Sequence, residues 1–364
     1  MIEKVEAHHF RCFRRLEVSN LKRFNLLVGK NASGKSAFLE ALFMSSSSAA
    51  PSLTFQLRAI RKMGNVITPP TDPLSYKGLW EDLFYEFNLD KKIWIKVSGV
   101  PSADTRSLSI EFTTSIMDEL PFSKQSIQSG VQATPAMPQI EFKWKRTGYP
   151  EVLTHPKVTN TGLQVSSPLD PKETIFFPAI WFTPTGADNP DEVSKRFAEL
   201  DKRGDVGKVK AAITKEFPFI KDLAISYHAG IPMVFAEVEG EGRLRKMPMG
   251  LISDGINRLL SICLGIGYYR DGMVLIDQIE DGFHYKILPA LWESIYTLAE
   301  QFNVQLFIST HSGECMEALF PVAKRHEKDI CLLRASRTEK LGCTIDSLTG
   351  EYLVTALEQE FEVR

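Results

Sequence analysis

The chain has little of what marks a secreted, membrane-spanning or disulfide-framed protein. Its five cysteines, Cys12, Cys263, Cys315, Cys331 and Cys343, form no C-x-x-C pair in 364 residues. Most sit among apolar neighbours, as reduced core thiols do, so neither a disulfide framework nor a structural zinc is expected. No uninterrupted apolar run approaches the ~20 residues of a membrane span. The opening MIEKVEAHHF has no apolar h-region, so no signal peptide is expected and the expected location is cytoplasmic. His8 and His9 resemble a metal pair, but neighbours on a strand point to opposite faces and do not chelate together. Net charge is also scarce, at −2, with a sequence pI near 6.4. Nothing global points to nucleic acid, so any DNA contact would be a local patch. Internal repeats are absent, and no long heptad run interrupts the chain.

What the chain does have is ample apolar content, 43% hydrophobic and 10% aromatic residues, enough for a packed core. The length suggests two or three domain-sized units, or one domain with insertions. The stretch FNLLVGKNASGKSAFLEAL, from Phe24 to Leu42, organises the rest. Asn25 to Val28 reads as a short buried strand. Gly29 to Ser36 matches G-x-x-x-x-G-K-S/T, and the apolar spacing then turns helical at Phe38, Leu39, Leu42 and Phe43. Strand, glycine loop and helix are the context this motif requires, which argues against a chance glycine turn. Backbone N–H groups of Gly29, Lys30, Asn31, Ala32, Ser33, Gly34, Lys35, Ser36 and Ala37 would line an anion cradle at a helix start. Lys35 can reach the β- and γ-phosphates, and the Ser36 hydroxyl can ligate Mg²⁺. ATP and Mg²⁺ are therefore the expected ligands.

Around this stretch, Ile2 to Val18 reads as two strands. Arg11, Phe13 and Arg14 are placed either against adenine or ribose, or on a sheet edge and solvated face. Ser45 to Ser52, SSSSAAPS, reads as a polar connection and Gln56 to Lys62 as a short basic helix. Proline-rich Thr68 to Asp72 breaks it, and Leu79, Leu83 and Phe84 suggest another helix. Strand patterns at Lys92–Val97, Leu108–Phe112, Ile140–Trp144 and Thr174–Phe182 give an antiparallel β lobe, with polar, irregular Ser115 to Pro138 between. Asp188 to Glu216 is charged with helical apolar spacing, two helices separated by Gly204 and Gly207. Its interleaved acids and bases favour a solvated face over a DNA surface. A meander, Leu223–Tyr227, Met233–Val238 and Arg243–Met247, precedes a helix opened by Ser253. Met273–Ile276 and Val304–Ile308 read as buried strands, each followed by a helix, His284–Gln301 and Gly313–Leu319. Ile330–Leu333, Cys343–Leu348 and a helix over Tyr352–Phe361 close the chain.

Strand MVLI ends in Asp277, where a P-loop site holds its metal. Strand VQLFIST ends in Thr310-His311, and a histidine there can reach a γ-phosphate or the attacking water. Leu251-Ile252-Ser253-Asp254-Gly255 stands at a helix start, with Ser253 a good N-cap. The same geometry offers a second anion-binding helix end, which a partner protomer can supply more easily than the same protomer.

Together GKNASGKS, LISDG, VLIDQIEDGFH and FISTH resemble the ABC-type ATPases, in the branch of SMC and RecF-like heads and OLD-type ATPase halves, often catalogued among AAA-like ATPases of prokaryotic defence systems. FRCFRRLEV resembles their N-terminal strands, whereas roughly residues 45–247 are covered only by the general lobe pattern. The resemblance implies an α/β fold, a P-loop ABC-type ATPase head with a mixed sheet, an antiparallel β lobe and a small helical insertion. It implies two heads closing on two ATP molecules. Lys35 and Ser36 would form Walker A and Asp277 Walker B, with Ser253, Asp254 and Gly255 a degenerate signature in trans. Glu280, Asp281 and Gly282 would occupy the D-loop region, and His311 the switch position. One residue departs: the family has Glu after the Walker B Asp, and this chain has Gln278, an amide that cannot take a proton. Either Gln278 is an introduced substitution or the ATPase is naturally slow; Glu280 is the nearby carboxylate able to substitute.

The expected organisation is 1–182, an ATPase half with P-loop and β lobe; 183–247, an insertion; and 248–364, the half with signature, Walker B and switch histidine. The expected function is a homodimeric or higher-order Mg-ATP-dependent ATPase that regulates a separate effector in antiphage defence. The alternatives are a DNA-repair or DNA-end-binding ATPase and a catalytically silent ATP-dependent scaffold.

Overall fold

The computed structural model describes residues 1–61, 73–99, 104–113, 139–159, 162–166, 175–184, 189–240, 243–338 and 342–359. In chain order its first elements are β1 (Ile2–Phe10), β2 (Phe13–Val18), β3 (Phe24–Val28), α1 (Lys35–Met44), α2 (Ala50–Ile60) and α3 (Pro73–Gly78). Strands β4 (Ile93–Gly99), β5 (Thr105–Thr113), β6 (Gln139–Arg146), β7 (Val152–Thr159), β8 (Gly162–Ser166) and β9 (Ala179–Phe182) follow. Next come α4 (Pro190–Lys202), α5 (Val206–Glu216), β10 (Ile220–His228), β11 (Ile231–Gly240), β12 (Arg243–Pro248) and α6 (Asp254–Tyr268). The last are β13 (Met273–Ile276), α7 (Leu288–Gln301), β14 (Gln305–Ser309), α8 (Gly313–Arg325), β15 (Ile330–Thr338), β16 (Gly342–Thr349) and α9 (Gly350–Glu358). The chain divides into two compact units, one of Met1–Val5, Glu17–Phe43 and Phe177–Arg364, the other of Glu6–Leu16 and Met44–Phe176.

In the first unit the strands run in the order β16-β15-β3-β14-β13-β9. The pairs β9/β13, β13/β14, β14/β3 and β3/β15 are parallel, and β15/β16 is antiparallel. Every residue of β3, β13 and β14 is buried, as expected of parallel strands covered on both faces. Helix α6 opens at Ser253, whose Oγ accepts the Ile256 N–H, and buries Leu259, Leu260, Ile262, Cys263, Leu264 and Ile266. Each such aliphatic side chain contributes about 1.5–3 kcal/mol by burial. Helices α4 and α5 bury Val193, Phe197, Leu200, Val209 and Ile213 in the same core as α6 and α7. The antiparallel meander β10-β11-β12 completes this unit.

In the second unit β4 to β8 form an antiparallel run in sequence order. Alternation of buried and half-buried positions along β4 and β6 is what a half-covered sheet requires. Around Trp80, Phe55 and Phe142 pack edge-on and Tyr76 packs tilted, at centroid distances of 5.2–6.4 Å.

Several sequence expectations change. Thr174–Phe182 does not extend the β lobe: β9 pairs parallel with β13, Ile276 beside Phe182. Ser45–Ser52 is not a polar connection. Ser45, Ser46, Ser47 and Ser48 are buried, the Ser48 N–H bonds to the Ile175 carbonyl at 2.9 Å, and α2 already starts at Ala50 with Pro51 in its first turn. The helix expected around Leu79–Phe84 is two single 3₁₀ turns instead, Glu81–Leu83 and Tyr85–Phe87, separated by extended Phe84 at φ −89 and ψ 141, with Glu86 and Phe87 in the second turn at φ +53 and +57. Gly204, at φ +73, does separate α4 from α5, but Gly207 lies inside α5. Strands β7 and β8 had no expectation, and the proline-rich 68–72 and polar 115–138 lie outside the described residues.

Candidate functional site

Register brings the chemistry to one strand edge. Ser309 stands beside Leu27 and Ile308 beside Ile276, so Gly29, Asp277 and His311 all follow the carboxyl ends of neighbouring parallel strands. Open α/β sheets bind ligands at that edge.

The loop after β3 is a tight backbone cradle. Gly29 holds φ +141, Ala32 φ +60 and Gly34 φ +102. A Cβ on Gly29 would lie 2.2 Å from the Ala335 carbonyl oxygen of β15. Gly29→Ala should therefore displace the loop, costing about 1–3 kcal/mol for the strained φ alone. A lowered thermal midpoint together with lost ATP affinity checks this, and unchanged values for both would refute it. Lys30, Asn31 and Ala32 are exposed, Ser33 and Ala37 buried, and Ser36 half-buried on the first turn of α1. The buried Ser33 Oγ has no hydrogen-bond partner among the described residues. Lys35 folds back over the loop, its Nζ donating to the Gly29 carbonyl at 2.5 Å and the Lys30 carbonyl at 3.0 Å. Burial pushes its ammonium pKa down, and the carboxylates of Asp277 and Glu280 pull it back up.

Asp277 is 6% exposed at the end of β13. Its Oδ1 accepts the Ser309 hydroxyl at 2.5 Å, and the same hydroxyl accepts the Gln278 N–H at 2.8 Å. Ser309 thus fixes both the acid and the backbone after it. Sequence reasoning missed Ser309; its signal was the first hydroxyl after the apolar run Leu306–Ile308. Gln278 sits at φ +51, half-buried. Glu280 turns back to His311: its Oε1 accepts the His311 N–H at 2.8 Å and lies 2.8 Å from His311 Nδ1.

The donor set fits a nucleotide with a hard cation. A glycine loop that no Cβ can fill suits phosphate oxygens, and the oxygens of Ser36 and Asp277 suit Mg²⁺. Among the described residues no group of three or more His, Cys, Asp or Glu could hold a metal. Mg²⁺ at phosphate sites takes one or two protein oxygens and completes its shell with phosphate and water.

Ser253, Asp254 and Gly255 stand at the start of α6 in the same unit. Ser253 caps α6, Asp254 is exposed, and a Cβ on Gly255 would meet Gly282 O at 3.2 Å and Phe283 at 3.7 Å. Among the described residues none of the three hydrogen-bonds to Gly29–Ser36. Arg11 is engaged inside the second unit, its Nη1 bonding the Asp82 carbonyl at 2.8 Å and carboxylate at 2.5 Å, and Phe13 is fully buried. On α4 and α5 the charges pair with one another: Lys195 with Asp191, Arg196 with Glu192, Lys202 with Glu199 and Lys208 with Asp205, at 2.7–3.0 Å. That pairing agrees with a solvated face.

Residues 1–180 match the family model described as "AAA ATPase domain", and residues 165–317 match "AAA domain, putative AbiEii toxin, Type IV TA system". An ATP/GTP phosphatase of Helicobacter pylori is 23% identical over 360 residues, covering 90% of this chain and 90% of that protein. Among solved structures, an Smc head bound to the C-winged helix domain of ScpA aligns at 11% identity and TM-score 0.48, covering 97% of this chain and 99% of that one. A Thermotoga maritima SMC head domain aligns at 10% identity and TM-score 0.43, covering 96% and 98%. Together the two family matches run from residue 1 to residue 317 and overlap over residues 165–180, so along most of its length the chain is similar to P-loop ATPases of the AAA type.

Proposed function

We propose that this ATPase binds Mg-ATP, closes with a second copy around the nucleotide, and in that state regulates a separate effector protein in prokaryotic antiphage defence. One observation carries the dimer. The phosphate loop, Asp277 and His311 share a single strand edge, whereas the LISDG helix start packs on Gly282 and Phe283 and makes no hydrogen bond to the loop. A helix N-terminus with its own cap, remote in bonding from the loop, is suited to the γ-phosphate held by another protomer. In this reading Ser36 and Asp277 hold the Mg²⁺. Lys35 and the loop N–H groups of Gly29–Ala37 hold the phosphates, and Ser253, Asp254 and Gly255 act in trans. The organisation 1–182, 183–247 and 248–364 belongs to the same reading.

The defence role is supported by the toxin–antitoxin description of the model matching residues 165–317. A cytoplasmic location agrees with the absence, among the described residues, of any helix long and apolar enough to cross a membrane. Gln278 favours a second emphasis, in which ATP serves chiefly to hold the assembly and is turned over slowly.

Ser253→Arg tests the sandwich. A bulky cation at the start of α6 should leave ATP binding by the protomer's own loop within about threefold while removing ATP-dependent dimers; losing the cap costs about 0.5–2 kcal/mol of stability. Light scattering with and without Mg-ATP reads the mass. A variant that dimerises normally, or a wild-type chain that stays monomeric in saturating ATP, would overturn the proposal.

A further inference from the structure

The strands on either side of the phosphate loop decide which way a nucleotide lies in it. Strand β3 has β14 on one side and β15 on the other, both parallel. Lys35, which serves the β- and γ-phosphates in such loops, lies in the field of Asp277 and Glu280. Asp277, Glu280 and His311 all follow β13 and β14, so the terminal phosphate belongs on that side. The nucleoside is the opposite end of the triphosphate, and that end points to β15.

Strand β15 outruns β3 there. Arg334 stands beside Val28, the last residue of β3, and Ala335 to Thr338 continue past it, paired with β16 as far as Gly342. This hairpin rests on the loop at two points. The Ala335 carbonyl occupies the place of a Cβ on Gly29, and the buried Cys343 Sγ donates weakly to the Ala32 carbonyl at 3.7 Å. Ser336 Oγ and Thr344 Oγ1, 2.9 Å apart, brace the two strands. Arg337 is paired directly with Cys343. Directly opposed residues share a face of the sheet, so Arg337 stands on the face that touches the loop. It is exposed, and among the described residues its guanidinium makes no hydrogen bond or ion pair. Of the residues that the sequence offers for adenine or ribose, Arg11 is instead bonded to Asp82 and Phe13 is buried.

We propose that Arg337 is the nucleoside contact of this site, its planar guanidinium stacking on the base. This rests on the nucleotide reading of the Gly29–Ser36 loop. The phosphates already have the loop N–H groups and Lys35. What these leave unheld is a flat, uncharged ring, and a guanidinium stacks on such a face where a compact ammonium does not. Every base has a π-face, so a stacking contact takes adenine and guanine alike. The loop then supplies affinity for the phosphates and the hairpin supplies it for the base.

The test compares ADP, GDP and pyrophosphate by titration calorimetry with Mg²⁺. None of the three can be turned over as ATP is, and pyrophosphate lacks the nucleoside. Arg337→Ala should weaken ADP and GDP alike, by about 3- to 30-fold, the range of a cation held over a ring. Pyrophosphate should stay within about twofold, which also shows that the variant keeps its loop. Arg337→Lys should recover little, because it restores the charge without the plane. ADP affinity unchanged within twofold in Arg337→Ala overturns the proposal. So does an equal loss for pyrophosphate, or full recovery in Arg337→Lys, either of which would make Arg337 a charge on the phosphates. A loss for GDP alone overturns stacking in favour of hydrogen bonds to the guanine edge. Pyrophosphate binding that survives Lys35→Ala overturns the loop reading and this proposal with it. Failure of the Arg337 arms alone leaves the loop reading standing.

Discussion

Gln278→Glu raises ATP turnover by about 10²- to 10⁴-fold, the usual contribution of a positioned general base. That corresponds to roughly 3–5 kcal/mol of barrier at 1.36 kcal/mol per decade. Position 278 directly follows the buried Asp277, and its N–H is pinned to Ser309 Oγ at 2.8 Å. The backbone there holds φ +51, a left-handed conformation kept by that bond. Glutamate and glutamine share shape and rotamers, so the substitution changes charge and proton affinity with little change in geometry. The introduced carboxylate joins Asp277 and Glu280 in the field of Lys35, the cation whose ammonium both acids act on. Repulsion among three acids should make the nucleotide-free variant somewhat less stable, and Mg²⁺ should relieve it. Phosphate release under saturating Mg-ATP checks the rate, and equilibrium ATP binding should stay within about threefold. A variant as slow as the parent chain would show that position 278 does not limit turnover.

The sequence made legible what depends on short range. GKNASGKS announces its loop because strand, glycines and helix are contiguous. MVLI announces a doubly covered strand because all four residues are apolar, and its end places Asp277. Ser253 reads as a cap from its own position, and it caps. Long-range pairing was not legible. AIWF at Ala179–Phe182 is as good a lobe strand as a core one by pattern; only its parallel partner β13 decides. The serines at 45–48 read as solvated because hydroxyls usually are, yet they are buried with the backbone paired to Ile175. Strand β7 carries Pro156, which weakens any strand signal. The Glu280–His311 bond joins two loops, and no spacing rule links residues on different strand ends.

Lys35→Ala removes nucleotide binding while leaving the fold in place. The ammonium bonds two carbonyls of its own loop, Gly29 and Lys30, and lies in the field of Asp277 and Glu280. Lys30 is exposed, so water can take the place of the ammonium at its carbonyl, and leaving the buried Gly29 carbonyl unpaired costs about 1–3 kcal/mol, which a fold of this size tolerates without ligand. With ATP the balance differs. The site already carries Asp277 and Glu280, and a triphosphate adds several negative charges to the same edge. Removing one partner of a desolvated charge pair costs about 2–5 kcal/mol, or roughly 30- to 4,000-fold in Kd at 1.4 kcal/mol per decade. Lys35→Arg should not restore affinity in full, because a planar fork does not replace a compact ammonium inside a tight loop. Thermal unfolding gives the readout. Ligand at 100 times Kd stabilises the parent chain by about 2.7 kcal/mol, a rise of several degrees for a protein of this size. Lys35→Ala should keep no more than about a third of that rise at the same concentration and should unfold near the parent's nucleotide-free midpoint. An undiminished ATP-dependent rise in the variant would mean that the phosphates are held somewhere other than the Gly29–Ser36 loop.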